Sequence, residues 1–347
     1  MPRASRKDEP GAWHHVTARG IAKRTIFERR EDHRMFLSLV AREVRRGEIE
    51  VHAYSLMQTH LHMLVRSPRA RLSAAMARIL REYARWFNRR RKRDGGLFKE
   101  RFKSKRVESD AYRSILVRYI DDNPVKAKMA PFAAAYPFGS ASIYALDAGP
   151  IWVCRDWIES EVREVSGGKA YDPKDYLRRF PSKVPDALRH WVEWQIAHSH
   201  DRDAEFDELL APHSDATLDW MVRKALLADG TEPFQFALPA AFLDEEWEIA
   251  REEQPDWPWE AAREREGLWP MIRVGLARHG AGLSFREIRS RTDVPESTAF
   301  ARADRYRQLL KSEPEVTARV AIILARVHRR VAREAFPHRT PSEQATN

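Results

Sequence analysis

The chain has 347 residues, a formal net charge of +10 and one cysteine, Cys154, which excludes an intrachain disulfide and a cysteine-rich zinc module. A positive charge of this size indicates a polyanionic partner, although it says nothing about the fold. The sequence carries neither a secretory apolar segment nor an apolar run long enough to span a bilayer, so we expect no membrane partner and a cytoplasmic, nucleoid-associated protein.

The first half of the chain predicts an α+β domain. Apolar alternation predicts a strand over 13–19, and helical spacing predicts helices over about 31–46 and 72–90. Between the helices, residues 49–56 and 60–65 read as two strands or as one strand with a bend. We expect an antiparallel sheet covered by helices, and the segment 130–150, rich in Ala, Pro and Gly, as the exit from this domain.

A histidine pair, His60 and His62, lies in the apolar run before the Ser67-Pro68 breaker. Alternate residues of a strand share a face, so both imidazoles should point the same way while Leu61 points into a core. Two neutral imidazoles on a rigid strand supply two-thirds of a divalent metal site. Taken alone, the pair is better explained by chance or by a solvated strand face, because a site needs further partners.

A helix is predicted downstream, with Ser109 or Asp110 as its N-cap. Pro124 disfavours helical geometry at Asn123, so we expect the helix to end there. Tyr119 and Asn123 are related as i and i+4 and should share one face of its last turn. Without the histidines they would read as a half-buried aromatic and a residue of a helix-ending turn.

Basic and aromatic residues alternate between these two elements, a pattern suited to a nucleic-acid strand. Cations would follow phosphates and rings would stack on bases; the alternative is a solvated loop anchored by Phe98 and Phe102. The predicted DNA-binding residues of this domain are Arg19, Arg89, Arg90, Arg91, Lys99, Arg101, Lys103, Lys105 and Arg106. The N-terminal Arg3, Arg6 and Lys7 are compatible with a DNA-contacting arm or a disordered tail.

Five blocks in order give a family resemblance over about 13–144, with a weaker continuation to about 180. They are residues 13–20 with 26–27, 54–62, 83–88, 97–102 and 118–127. Together they resemble the IS200-type single-tyrosine transposases, which belong to the HUH nucleases, and most closely the REP-associated tyrosine transposases.

The resemblance implies a ferredoxin-like fold, Tyr119 as nucleophile, and Mg²⁺ or Mn²⁺ held by His60 and His62 with Asn123 as third ligand. It implies cleavage of single-stranded or hairpin DNA through a 5′-phosphotyrosine, and it allows a homodimer. The sequence departs from the family at Gln58-Thr59, which would alter how His60 is oriented. Asp122, where relatives are usually apolar, would assist metal binding or repel the phosphate.

From about residue 151 the sequence becomes helical, tryptophan-rich and acidic. The tryptophans are expected to fill a core or an inter-domain seam. They are Trp157, Trp191, Trp194, Trp220, Trp247, Trp257, Trp259 and Trp269. The pair His198 and His200 repeats the histidine spacing in a helical or loop context, which disfavours a metal site there.

The C-terminal part resembles a helix-turn-helix. Ser284 is the predicted cap of a short helix, and a second helix follows the turn at 293–296. An ordinary helical hairpin is the alternative. The predicted duplex contacts are Ser297, Thr298, Arg302 and Arg305. The last predicted helix, about 316–336, would extend that surface with Arg319, Arg326, Arg329 and Arg330.

The sequence therefore predicts three domains: a nuclease domain over 11–150, a helical region over 151–268, and an all-α helix-turn-helix domain over 269–338. We expect a metal-dependent tyrosine transposase that cleaves and rejoins DNA. One alternative is a catalytically decayed, domesticated regulator that binds DNA or RNA. Another is a phosphodiesterase that uses activated water and tolerates loss of Tyr119.

Overall fold

The computed structural model describes residues 8–168, 170–198, 215–226, 236–254 and 267–338. The sequence-based predictions for Arg3, Arg6 and Lys7, for His200, and for Trp257 and Trp259 concern positions outside these ranges. None of the helices in the described part of the chain is long and apolar enough to cross a membrane.

The chain forms two compact units. The first contains the residues up to Pro185, together with 192–198 and Phe336–His338, and the second contains Asp186–Trp191 and the described residues from 215 to Ala335. The predicted division at 150 and 268 stays a prediction.

The first unit contains a four-stranded antiparallel sheet in the order β2-β3-β1-β4. The strands are β1 (Ala12–Arg19), β2 (Glu50–Leu56), β3 (His60–Ser67) and β4 (Lys103–Arg106). The prediction of an α+β fold is confirmed. Residues 49–65 form two strands rather than one bent strand, and β4 is a strand that the sequence did not predict.

Six helices of this unit precede Pro185. They are α1 (Arg30–Arg45), α2 (Leu72–Arg90), α3 (Asp110–Lys126), α4 (Ala141–Ala145), α5 (Asp156–Val165) and α6 (Pro173–Arg179). Short 3₁₀ turns occupy Ile21–Lys23 and Ala133–Ala135. Helices α1 and α2 pack through a perpendicular contact of Phe36 with Tyr83, whose ring centroids are 5.3 Å apart.

Helix α3 begins as predicted but ends later. The Ser109 hydroxyl accepts a hydrogen bond from the Tyr112 amide, as an N-cap does. The prediction that the helix ends at Asn123 is wrong, because α3 continues through Pro124 to Lys126. Proline removes one amide donor but leaves the carbonyl acceptors, and the Asn123 and Pro124 carbonyls accept hydrogen bonds from Ala127 and Met129.

The described elements of the second unit are helical. Helix α7 (Asp186–Ala197) begins in this unit and ends in the first. The others are α8 (Asp215–Leu226), α9 (Ala240–Glu253), α10 (Leu268–Gly275), α11 (Phe285–Thr292), α12 (Glu296–Ser312) and α13 (Pro314–Ala335), with a π-helical turn over Leu276–Gly280. Trp191, Trp247 and Trp269 are buried core residues, whereas Trp220 is 59% exposed.

Helices α10 and α12 pack closely at Gly275. A Cβ atom on this residue would lie 2.2 Å from Cγ of Tyr306, so only glycine fits. Helices α11 and α12 are joined by residues 293–295, with Asp293 in the left-handed conformation at φ 56°. Ser284 caps α11 in a capping box with Glu287, as the sequence predicted for the cap.

Candidate active site

Strand register brings histidines of β1 and β3 to one face of the sheet. His62 lies opposite Thr17, and His60 lies opposite Arg19. Directly paired residues project to the same side, and alternation adds His15, two residues before Thr17. The predicted shared face of His60 and His62 is therefore present, together with a third histidine.

His15 is the site residue that sequence reasoning missed. Its Nε2 atom lies 3.0 Å from Nδ1 of His62, and both rings are buried. Burial lowers the pKa of His15 to about 3, so this imidazole is neutral at physiological pH. The signal in the sequence was the strand alternation that places 15, 17 and 19 together, but the partner strand was not identifiable without the register.

His60 is held by its preceding residue. Its Nδ1 atom shares a 3.0 Å hydrogen bond with the Thr59 hydroxyl, so the departure noted at Gln58-Thr59 does contact His60. Burial, with a smaller contribution from the positive charge of Arg19, lowers the pKa of His60 to about 4. A neutral imidazole is the form that binds a metal.

Helix α3 places Tyr119 beside the histidine rings. The Tyr119 ring centroid is 5.3 Å from that of His62 and 6.0 Å from that of His15, both in edge-on contacts. Asn123, one turn later on the same side of the helix, is 8% exposed, and Tyr119 is 3% exposed. The aromatic hydroxyl, the amide and the histidines are thus gathered in one buried region.

The donor set at this site is compatible with a divalent cation. The Nδ1 atoms of His60 and His62 each have a neighbouring partner. Such hydrogen bonds fix the ring orientation of metal-binding histidines. Among the described residues, no group of three or more His, Cys, Asp or Glu side chains could hold a metal ion, so the third ligand would have to come from another side chain, such as Asn123.

Asp121 and Asp122 neighbour this region on α3, and both are buried. Burial raises the pKa of Asp121 to about 7, while a hydrogen bond from the Tyr176 hydroxyl opposes that rise. Asp122 is the departure noted in the sequence, and it is 8% exposed.

The predicted DNA-binding cations fall into three groups. Arg19, Arg89, Lys99 and Arg101 are exposed, and none forms an ion pair with another described residue. The Lys99 amide donates a hydrogen bond to the Arg19 carbonyl, so the basic segment lies next to the end of β1. At that end, Arg19 lies opposite His60 of β3 in the sheet. Arg19 and Lys99 therefore lie at the end of β1 next to His60.

Three other predicted cations already have protein partners. Arg91 pairs with Glu28 and Asp32 at 2.8 and 2.7 Å, and Arg106 pairs with Glu108 at 2.8 Å. Arg90 lies over the Trp86 ring at 5.3 Å. These contacts stabilise the fold, since Asp32 also accepts the Glu28 and Arg29 amides at the start of α1.

Two lysines of β4 share the histidine face. Lys103 lies opposite Thr17, and Lys105 lies opposite His15 and is 7% exposed. Alternation keeps both on the side of His62. The sheet therefore presents cations next to the histidines, a favourable environment for a phosphate.

An open groove of about 900 Å³ separates α2 from the basic segment. Its walls include Leu80, Arg81 and Phe98, with Arg101 at one side. Arg81 and Arg101 form no ion pair with any other described residue. The groove combines apolar surface with these two cations and with the acidic residues Asp8 and Glu100.

In the second unit, Ser297 is exposed and Thr298, Arg302 and Arg305 are half-buried on α12. The sequence missed Arg286 and Arg289 on α11, which line an open cleft of about 440 Å³ with Glu296.

Three of the arginines of α13 that were expected to extend that surface lie beside acidic residues of α9. Arg326 and Arg330 pair with Glu253 and Glu245 at 3.1 and 2.5 Å, and Arg319 lies beside Glu253. These ion pairs connect α13 to α9, and a contribution of α13 to duplex binding stays a prediction.

Comparison with known proteins finds a similarity in the first part of the chain. Residues 11–123 match the model of a family described as "Transposase IS200 like". A solved structure of a REP-associated tyrosine transposase bound to a REP hairpin is 20% identical, with a TM-score of 0.34; the match covers 44% of this chain and 92% of that one. No curated protein matches the chain.

Proposed function

From the match of residues 11–123 to the IS200-like transposase family, we propose that this chain cleaves and rejoins DNA strands through Tyr119. The observation that carries the proposal is the 5.3 Å separation of the Tyr119 and His62 rings. The element order β1-α1-β2-β3-α2-β4 and the strand order of the sheet support the ferredoxin-like assignment.

In the proposed reaction the Tyr119 oxygen attacks the scissile phosphorus. A phosphorus–oxygen bond to tyrosine forms while the bond to the 3′ oxygen breaks; the phenol loses a proton and the leaving 3′ oxygen gains one. The product is a 5′-phosphotyrosine and a free 3′-hydroxyl, and the reverse attack rejoins the strand. A phenol with an ordinary pKa near 10 needs its anionic form stabilised, which the neighbouring cations of β4 favour.

We propose that Nε2 of His60, Nε2 of His62 and the Asn123 amide oxygen hold Mg²⁺ or Mn²⁺. When bound, such an ion polarises a phosphate oxygen and neutralises the charge that develops on it. His15 and Thr59 would orient the two imidazoles. Imidazole ligands suit Mn²⁺ better than Mg²⁺, so we expect stronger support by Mn²⁺.

The proposed substrate is single-stranded or hairpin DNA. Exposed Arg19, Lys99 and Arg101 would contact phosphates, and Phe98 would lie beside the bases. In the second unit we propose that α11 and α12 form a helix-turn-helix for duplex DNA. The three-residue turn and the left-handed Asp293 support this proposal.

A second candidate is a regulator that binds DNA or RNA without cleaving it. The burial of Tyr119, whose side chain must reach a phosphate, favours this candidate. Incubation with folded oligonucleotides and Mn²⁺ separates the two, with Tyr119→Phe as the control. The enzyme gives a covalent adduct that the variant lacks. A regulator gives binding alone. A phosphodiesterase that uses water gives strand cleavage without any adduct, and that cleavage persists in the Tyr119→Phe variant.

A further inference from the structure

The outer side of α3 is anchored by polar side chains and carbonyls of residues 156–183. Arg118 donates from Nε to the Pro181 carbonyl at 3.0 Å and from Nη2 to the Lys183 carbonyl at 2.9 Å. Arg118 is only 4% exposed. A guanidinium group in a buried setting with two aligned acceptors fixes both position and direction of the helix to which it belongs.

A second anchor is the Arg179 side chain at the end of α6. It is fully buried, donates to the Ser114 hydroxyl at 2.6 Å, and forms an ion pair with Glu161 of α5. One arginine thus connects α5, α6 and α3. Loss of either charge would leave the other buried without its partner, which is strongly unfavourable.

The third anchor is the hydrogen bond from the Tyr176 hydroxyl to the Asp121 carboxylate, at 2.7 Å between fully buried groups. The Tyr176 ring is stacked on Tyr144 with centroids 5.2 Å apart, which fixes the direction of its hydroxyl. Tyr176 therefore connects the α6 segment to the turn of α3 that carries Tyr119.

The three anchored residues of α3 lie on one side of the helix. At 3.6 residues per turn, Ser114, Arg118 and Asp121 fall within an arc of roughly 60°, while Tyr119 and Asn123 point roughly 130° and 170° away from its centre. Residues 156–183 therefore hold the side of α3 opposite to the histidine face.

We propose that residues 156–183 act as a brace that positions Tyr119 against the histidines of its own chain. The inference rests on the proposed function for its catalytic consequence, and on the three anchors for its structural part. Arg118, Asp121, Tyr176 and Arg179 are positioning residues in this account. Exchange of α3 alone between subunits, without residues 156–183, would break all three buried anchors, so the brace favours action of Tyr119 in cis.

Two tyrosine-to-phenylalanine variants of the full chain test the brace. Tyr176→Phe removes the hydroxyl that binds Asp121 and keeps the stacked ring. Tyr171→Phe is the matched control, because the Tyr171 hydroxyl donates to the Tyr144 carbonyl of α4 at 2.6 Å rather than to a residue of α3. Hydrogen exchange of the α3 amides is measured in both. We expect at least ten-fold faster exchange in Tyr176→Phe than in the control, and equal exchange in the two variants would overturn the brace.

To test the catalytic consequence, the rate of adduct formation and the affinity for the same oligonucleotide are measured in both variants. Displacement of a reacting group by about 1 Å costs up to a hundred-fold in rate. We therefore expect Tyr176→Phe to lower the rate ten-fold or more with unchanged affinity, while Tyr171→Phe changes neither. A parallel fall in rate and affinity, or no fall, contradicts a positioning role.

Action in cis is tested by mixing Tyr119→Phe with a double variant, His60→Ala with His62→Ala. Each variant lacks one half of the site, so action in cis predicts no adduct from the mixture. Recovery of adduct would show that the tyrosine and the histidines come from different subunits. If the unmodified protein forms no adduct on any oligonucleotide, the proposed function fails, and the exchange experiment alone decides whether the brace exists.

Discussion

The Nε2 atom of His15 lies 3.0 Å from Nδ1 of His62, which joins β1 to β3 across the candidate site. The contact is made between buried side chains, and His62 is in turn in ring contact with Tyr119. His15 therefore connects the strand that begins the domain to the residue proposed to bind the metal.

His15→Gln should weaken the response of adduct formation to Mn²⁺. Loss of the ring that orients a metal ligand typically costs ten- to a hundred-fold in metal affinity or activity. The measurement is a Mn²⁺ titration of the adduct rate. His52→Gln, at another buried histidine of the sheet, is the control for a general loss of stability. Equal Mn²⁺ requirements in the two variants would show that His15 does not orient His62.

Arg81→Ala combined with Arg101→Ala should weaken binding of single-stranded DNA. If each guanidinium contacts one phosphate, the slope of log affinity against log salt becomes shallower by roughly 0.7 for each residue lost. Titrations by fluorescence anisotropy at several salt concentrations measure this. Arg34→Ala, at an exposed residue of α1 that does not line the groove, should leave the slope unchanged. A double variant with the unmodified slope would exclude the groove from the DNA path.

Arg302→Ala with Ser297→Ala should weaken duplex binding and leave single-strand cleavage intact, because both residues lie in the second unit. A lost base contact costs about 1–3 kcal/mol, so about ten-fold or more in affinity is expected. Duplex affinity and adduct rate are measured on the same preparation. Arg330→Ala serves as the comparison, because Arg330 pairs with Glu245. Unchanged duplex affinity would favour an ordinary helical hairpin.

The sequence predicted the local features of the fold well. The bounds of α2 agree with Leu72–Arg90, and Ser109 and Ser284 cap their helices, because caps and helical spacing are encoded within a few residues. Strand β4 was missed because its residues, Lys-Ser-Lys-Arg, have little strand preference and depend on pairing with β1.

The site was predictable where it depends on spacing and hidden where it depends on contacts between distant segments. His60 with His62, and Tyr119 with Asn123, follow from periods of two and about four residues. The contact of His15 with His62 requires the register of β1 on β3, and the Arg179 anchor requires α6 to pack on α3. Neither register nor packing can be read from one sequence.

The most direct test of the central claim is the mass of the peptide that contains Tyr119 after incubation of the full chain with folded oligonucleotides and Mn²⁺. We predict a nucleotide adduct linked through phosphate to the Tyr119 oxygen, which is absent in Tyr119→Phe. An adduct on another residue, or strand cleavage that persists in Tyr119→Phe, would contradict the assignment of Tyr119 as the nucleophile.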